Sequence, residues 1–301
     1  MSENFTQPDQ AELPSKIPSF LIELEGDHPE LAQSIKGRIN EWTDSVNKIM
    51  GRDDFAKTVL DNIDYVSRDE ITQFISQVAA EVIDLIDSGV KEIIFFKHID
   101  GDSRDWFYKI LLEQIPKDKR DILKYRSSFY VRTYPDAHFF ILDDSSNSGK
   151  QLEATVQTPF IQEKDHLSFT NQLRVLFLGK KTSLHIRLLR ITEYAKNNLE
   201  KTASENKKSI VELDIQAKKM PTIKDVLNQL GMRFEDLNKE QQRLLKAHHE
   251  YHSPILGFFF HKLQDNLPTM LISGRLDDKD FQPLIGTQTN NDDVIKPPYR
   301  N

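Results

Sequence analysis

Three short apolar runs constrain this chain more than any other feature: VKEIIFF at 90–96, AHFFILDD at 137–144 and LRVLFLG at 173–179. None alternates polar with apolar residues, and none is long enough for a core helix. Runs of this kind read as strands buried on both faces, the pattern of a parallel sheet. Parallel neighbours need crossover connections, which are usually helices. The intervening segments supply them: 104–115 and 149–163 read as helices, and 184–199 as a long amphipathic one. SIVELDI at 209–215 reads as a fourth strand, reached through the solvated connector NNLEKTASENKKS. The expected fold class is α/β, a mainly parallel sheet flanked by helices with a helical N-terminal region.

Ahead of the first run the period is helical. Leu31, Ile35, Ile39, Trp42, Val46 and Ile49 recur at three- and four-residue steps across 29–50, as on one face of a helix. A second helical run covers 53–63. A third starts at Ser67, carries Asp69 and Glu70 in its first turn and stops at Gly89, where glycine can end a helix. Downstream, 222–230 and 234–251 read as helices, ILGFFFHK at 255–262 as a strand and MLIS at 270–273 as another. The expected division is a mobile polar arm over 1–16, one domain over 17–275 that includes the N-terminal helices 29–88, and an irregular tail over 276–301.

Composition removes several kinds of chemistry. With no cysteine in 301 residues there are no disulfides, thiolate metal ligands or cysteine nucleophiles. Lys+Arg 40 against Asp+Glu 47, a net charge of -7, argues against broad electrostatic capture of nucleic acid and leaves a local basic strip open. No apolar run reaches the roughly 20 residues of a membrane span, and the start MSENFTQPDQAELPSK lacks the basic and apolar parts of a secretion signal. A cytoplasmic chain without a membrane partner is the expectation.

In an open parallel sheet, ligands sit beyond the carboxyl ends of the strands. The loops there are KHIDGDSRDW, DDSSNSGKQ and GKKTS. The second divides its labour. Asp143 and Asp144 can accept hydrogen bonds from neighbouring ribose hydroxyls, while the amides of 145–150 can line a phosphate where the next helix begins. The same residues could serve only as a helix cap. The loop is not a Walker A motif, because Gly149 and Lys150 are followed by Gln151 and Asp144 stands where that motif has its first glycine.

HFFILDDSSNSGKQL resembles the ribose-phosphate motif of type I phosphoribosyltransferases: an apolar strand, two acids and a Ser-Gly loop opening a helix. With DNIDYVSRDEI at 61–71 upstream and YHSPILGFFFHKLQDNLPTML at 251–271 downstream, the likeness is closest to the phosphoribosyltransferase-like domain of bacterial conflict and defence systems. It implies that Asp143 and Asp144 hold the ribose hydroxyls and that Ser145, Ser146, Asn147, Ser148, Gly149 and Lys150 wrap the 5-phosphate. Asp100, Gly101, Asp102 and Ser103 stand at the pyrophosphate loop, and Mg²⁺ bridges ligand oxygens, so that the acids serve it indirectly. The implied ligand is phosphoribosyl diphosphate or a nucleotide, and the implied setting includes a protein partner encoded nearby; self-association is left open. Ribosyl transfer and non-catalytic nucleotide sensing are both compatible with the likeness. Asn147 stands where purine-salvage relatives carry an aspartate base, and an amide cannot take that proton.

Other features read more simply. His248 and His252 lie one helical turn apart, beside His249, but lack an acidic partner at a diagnostic spacing, so a solvated or capping role is expected. GKKTSLHIRLLR reads as the basic surface of a helix, and Phe258, Phe259 and Phe260 as core.

Overall fold

The computed structural model of the chain describes residues 17–96, 103–126, 137–146, 182–205, 210–246, 254–260, 267–272 and 283–285. In chain order the elements are α1 (Ser19–Asp27), α2 (Pro29–Met50), α3 (Phe55–Asp61), β1 (Asp64–Val66), α4 (Arg68–Asp87), β2 (Ile93–Phe96), α5 (Ser103–Gln114), β3 (Leu123–Arg126), β4 (His138–Ser146), β5 (Thr182–Ile191), α6 (Glu193–Glu205), β6 (Ile210–Lys219), α7 (Ile223–Gln229), α8 (Lys239–Leu245), β7 (Gly257–Phe259) and α9 (Thr269–Ile272). Two compact units divide them, one spanning 69–220 and the other formed by the segments on either side of it.

Among the described residues the 69–220 unit is built on a five-stranded sheet in the order β3-β2-β4-β5-β6, every pair parallel. On one face Phe139, Ile141, Leu184, Ile186 and Leu188 pack with Ala195 and Leu199 of α6. On the other, the Phe95 ring meets Phe140 and Tyr108 of α5 at centroid distances of 5.2 Å each, and Phe107 of α5 meets Phe74 of α4 edge-on. Helices on both faces are what the unbroken apolar runs require, because neither side of such a strand tolerates water.

One expected element changes type. Residues 184–199 are not one helix: β5 occupies Thr182–Ile191 and α6 begins at Glu193. Leu184, Leu188, Ile191, Ala195 and Leu199 also fit helical spacing, which is why the period misleads. The basic surface expected over GKKTSLHIRLLR is corrected with it, since Arg187 is 1% and Arg190 4% exposed. Alternation decides the matter physically: Leu184, Ile186 and Leu188 fill one face, while His185 and Arg187 are received by carboxylates on the other. The expected strand at 173–179 and helix at 149–163 lie outside the described residues.

In the second unit, Pro29 opens α2 and Gly51, at φ 70°, closes it, a left-handed geometry that glycine adopts without penalty. Its inner face buries Ile35, Ile39, Trp42 and Val46, and the Trp42 indole N–H donates to the Met270 carbonyl at 2.8 Å. β1 and β7 pair in parallel, with Tyr65 opposite Phe258. Phe258 and Phe259 are fully buried and Phe260 nearly so, as core residues.

The helix expected over 234–251 is interrupted: a 3₁₀ turn at Phe234–Asp236 precedes α8, which Asn238 restarts through a reciprocal cap with Gln241. MLIS is not a strand. Thr269–Ile272 is a short helix whose Leu271 N–H donates to the Pro268 carbonyl; four apolar residues cannot distinguish the two, and the preceding proline sets a φ compatible with a turn of helix. Among the described residues no helix is long and apolar enough to cross a membrane.

Candidate functional site

β4 is the central strand, and the acid pair lies near its carboxyl end. The strand continues through Ser146, so Asp143 and Asp144 stand inside the ladder, with Asp143 opposite Leu188 and Ser145 opposite Arg190. Alternation therefore puts Asp143 on the face of Phe139 and Ile141, and Asp144 on that of Phe140 and Leu142. Both are buried, at 3% and 2% exposure, which a carboxylate tolerates only with hydrogen-bond partners. Asp143 Oδ1 accepts the Asp144 N–H at 2.9 Å, and Asp144 Oδ1 accepts the Ser145 hydroxyl at 3.1 Å.

Of the other expected site residues, Ser146 is the last residue of β4 and Ser103 the first of α5. Asn147, Ser148, Gly149, Lys150, Asp100, Gly101 and Asp102 lie outside the described residues, as do His248, His249 and His252.

The sequence reading missed a charged layer on the α4 side of the sheet. Arg187, 1% exposed, donates to both oxygens of Glu81, at 2.7 and 2.5 Å, and to Asp214 Oδ2 at 2.5 Å. Its Nη2 also lies 3.3 Å from His185 Nδ1, and His185 Nε2 lies 2.9 Å from His138 Nδ1. Burial alone would push the Glu81 carboxyl up, but hydrogen bonds from His185 and Arg187, with the Arg187 charge, hold it down at about 2. A second pair repeats the design nearer the strand ends. Arg190 grips Glu70 at 2.9 and 3.1 Å, and Lys218 reaches the same carboxylate. There too burial opposes ionisation, and the two cations overcome it to lower the Glu70 pKa.

Glu81, His185 and Asp214 offer three ligand atoms within 4.8 Å of one another, the makings of a metal centre. Arg187 Nη2 already lies among them, at 2.5 Å from two and 3.3 Å from the third. The position a metal would take is filled by the chain's own cation.

This combination, a parallel sheet with buried acids at the end of its central strand, agrees with a comparison against family models, in which the PRTase-CE model matches residues 42–290. The chain belongs to the PRTase-CE family. It is thus a phosphoribosyltransferase-like protein, and among the described residues the PRTase-CE match takes in β1 to β7. No curated protein matches the sequence.

The overlooked residues had a readable signature. Glu70 and Glu81 are eleven positions apart, three helical turns on one face, and Arg187, Asp214 and Lys218 alternate with apolar residues in their strands.

Proposed function

We propose that this protein binds a ribose-5-phosphate ligand, phosphoribosyl diphosphate or a nucleotide, together with Mg²⁺. The observation that carries the proposal is the buried Asp143–Asp144 pair at the carboxyl end of the central parallel strand, where open α/β sheets receive ligands. Their carboxylates would accept hydrogen bonds from two ribose hydroxyls. The donor set is all oxygen, which fits a hard cation such as Mg²⁺ held through ligand oxygens. Ser145, Ser146, Asn147, Ser148, Gly149 and Lys150 would bind the 5-phosphate, and Asp100, Gly101, Asp102 and Ser103 the diphosphate. The family likeness suggests a role in bacterial antiviral defence with a protein partner encoded nearby.

Asn147 in place of a catalytic aspartate favours binding over purine-type transfer, so sensing without turnover is the second reading. Thermal unfolding with phosphoribosyl diphosphate and a nucleotide panel, with and without Mg²⁺, tests the first point. A Mg²⁺-dependent rise in Tm, lost in Asp143→Asn with Asp144→Asn, is expected; no rise with any ligand would refute binding. Product analysis on the ligand that binds then separates transfer from sensing.

A further inference from the structure

β6 ends the sheet on one side: among the described residues its only strand neighbour is β5. Every second residue of such a strand turns its N–H and C=O outward, a template for another strand. At ten residues β6 is also longer than the roughly five or six of an ordinary strand. Its apolar face is incompletely covered. On β5, Leu184, Ile186 and Leu188 are at most 5% exposed. Leu213, Ile215 and Ala217 of β6 pack against the same cluster, yet are only partly buried.

The order of residues along β6 selects what can pair with it. Set antiparallel to itself about Ile215, the strand IVELDIQAKK is self-complementary. Leu213 falls opposite Ala217, Asp214 opposite Gln216 and Glu212 opposite Lys218, while Ile215 meets its own copy. The twofold axis repeats each pair, so acid meets base at both ends. Neighbouring registers satisfy the backbone equally well and lose this match. Centred on Asp214, two carboxylates stand opposite each other, which is destabilising; centred on Gln216, Leu213 falls opposite Lys219. Side chains therefore fix the register.

Lysine on an edge strand commonly guards against pairing, but Lys218 gains an acid opposite it in this arrangement. Its side chain is 71% exposed, and an ammonium that already donates to Glu70 has donors to spare.

We propose that two copies of this chain associate through β6, antiparallel and centred on Ile215, so that one sheet runs across both. The interface is isologous, each copy offering the same strand. Its apolar row joins Leu213, Ile215 and Ala217 of the two copies, and its polar row lies on the α4 side, where Asp214 and Lys218 already meet Arg187 and Glu70.

Sedimentation velocity on the full chain over a concentration series tests this. A dimer that dissociates on dilution is expected. Lys218→Glu sets like charges opposite each other at both ends of the interface and should weaken association about ten-fold; adding Glu212→Lys reverses the pair and should restore it. The register has a separate test, because the chain contains no cysteine. Ile215→Cys puts two thiols directly opposite each other, with Cα atoms about 5.5 Å apart, and should give a covalent dimer with oxidised glutathione. Ala217→Cys, on the same face but opposite Leu213, should not. None of these measurements involves a ligand, so they are decided apart from the phosphoribosyl reading. A monomer throughout the series would overturn the proposal. So would association indifferent to Lys218→Glu, a charge-reversed double variant no better than the single one, or cross-linking through position 217 rather than 215.

Discussion

Replacing Arg187 by methionine removes the cation from the middle of the charged layer while keeping most of the side-chain volume. Glu81 and Asp214 then lose three contacts of 2.5 to 2.7 Å and face each other and His185 without compensation. Breaking a buried pair in this way costs about 3–5 kcal/mol. The Glu81 and Asp214 side chains keep 27% and 38% exposure, so water recovers part of that, and about 2–4 kcal/mol is the expected loss at pH 7. Urea unfolding followed by circular dichroism measures it. Adding Glu81→Gln to Arg187→Met should restore part of the stability, because the partner left unpaired is then neutral. A loss under about 1 kcal/mol, or a double variant whose effects simply add, would refute the idea that Arg187 is held by charge pairing rather than by packing.

Glu81 also sets a pH response. Its folded pKa, about 2 against the ordinary 4.5, is depressed, so its stabilisation is complete above about 4.5 and lost as pH falls through about 2. Glu81→Gln should flatten the acid limb of a stability profile over that window, and an unchanged limb would exclude the residue as its source. Arg190 and Lys218 share Glu70, but at 5% and 71% side-chain exposure; Arg190→Met should cost about 3 kcal/mol and Lys218→Met under about 1 kcal/mol, and equal costs would show that burial is not the deciding variable. Thr222 caps α7 in a reciprocal arrangement with Asp225, so Thr222→Ala should lower unfolding free energy by about 1 kcal/mol; no measurable change in urea midpoint would count against that cap.

Legibility followed the hydrophobic pattern. VKEIIFF and AHFFILDD contain β2 and most of β4, and Leu31 to Ile49 mark the run that folds as α2, because in each case the apolar period matches one element alone. The sequence of β5 reads as a helix because its leucines fit two periods at once, and periodicity carries no information about what receives the polar face. The acid pair stood out in the sequence through its neighbours, Phe139 to Leu142 before it and the serines after it. The salt-bridged layer did not, since Glu81 is 106 residues from Arg187, and Glu70 120 from Arg190.

Local chemistry settled that VKEIIFF and AHFFILDD supply buried strands and that α4 stops before Gly89. Those properties depend on residues within a turn or two of each other. Only the folded sheet decided that His185, Arg187 and Arg190 lie inside, because burying a charge depends on partners that the topology delivers from distant helices and strands. A buried arginine and a surface arginine look alike in sequence, and the carboxylates opposite them make the difference.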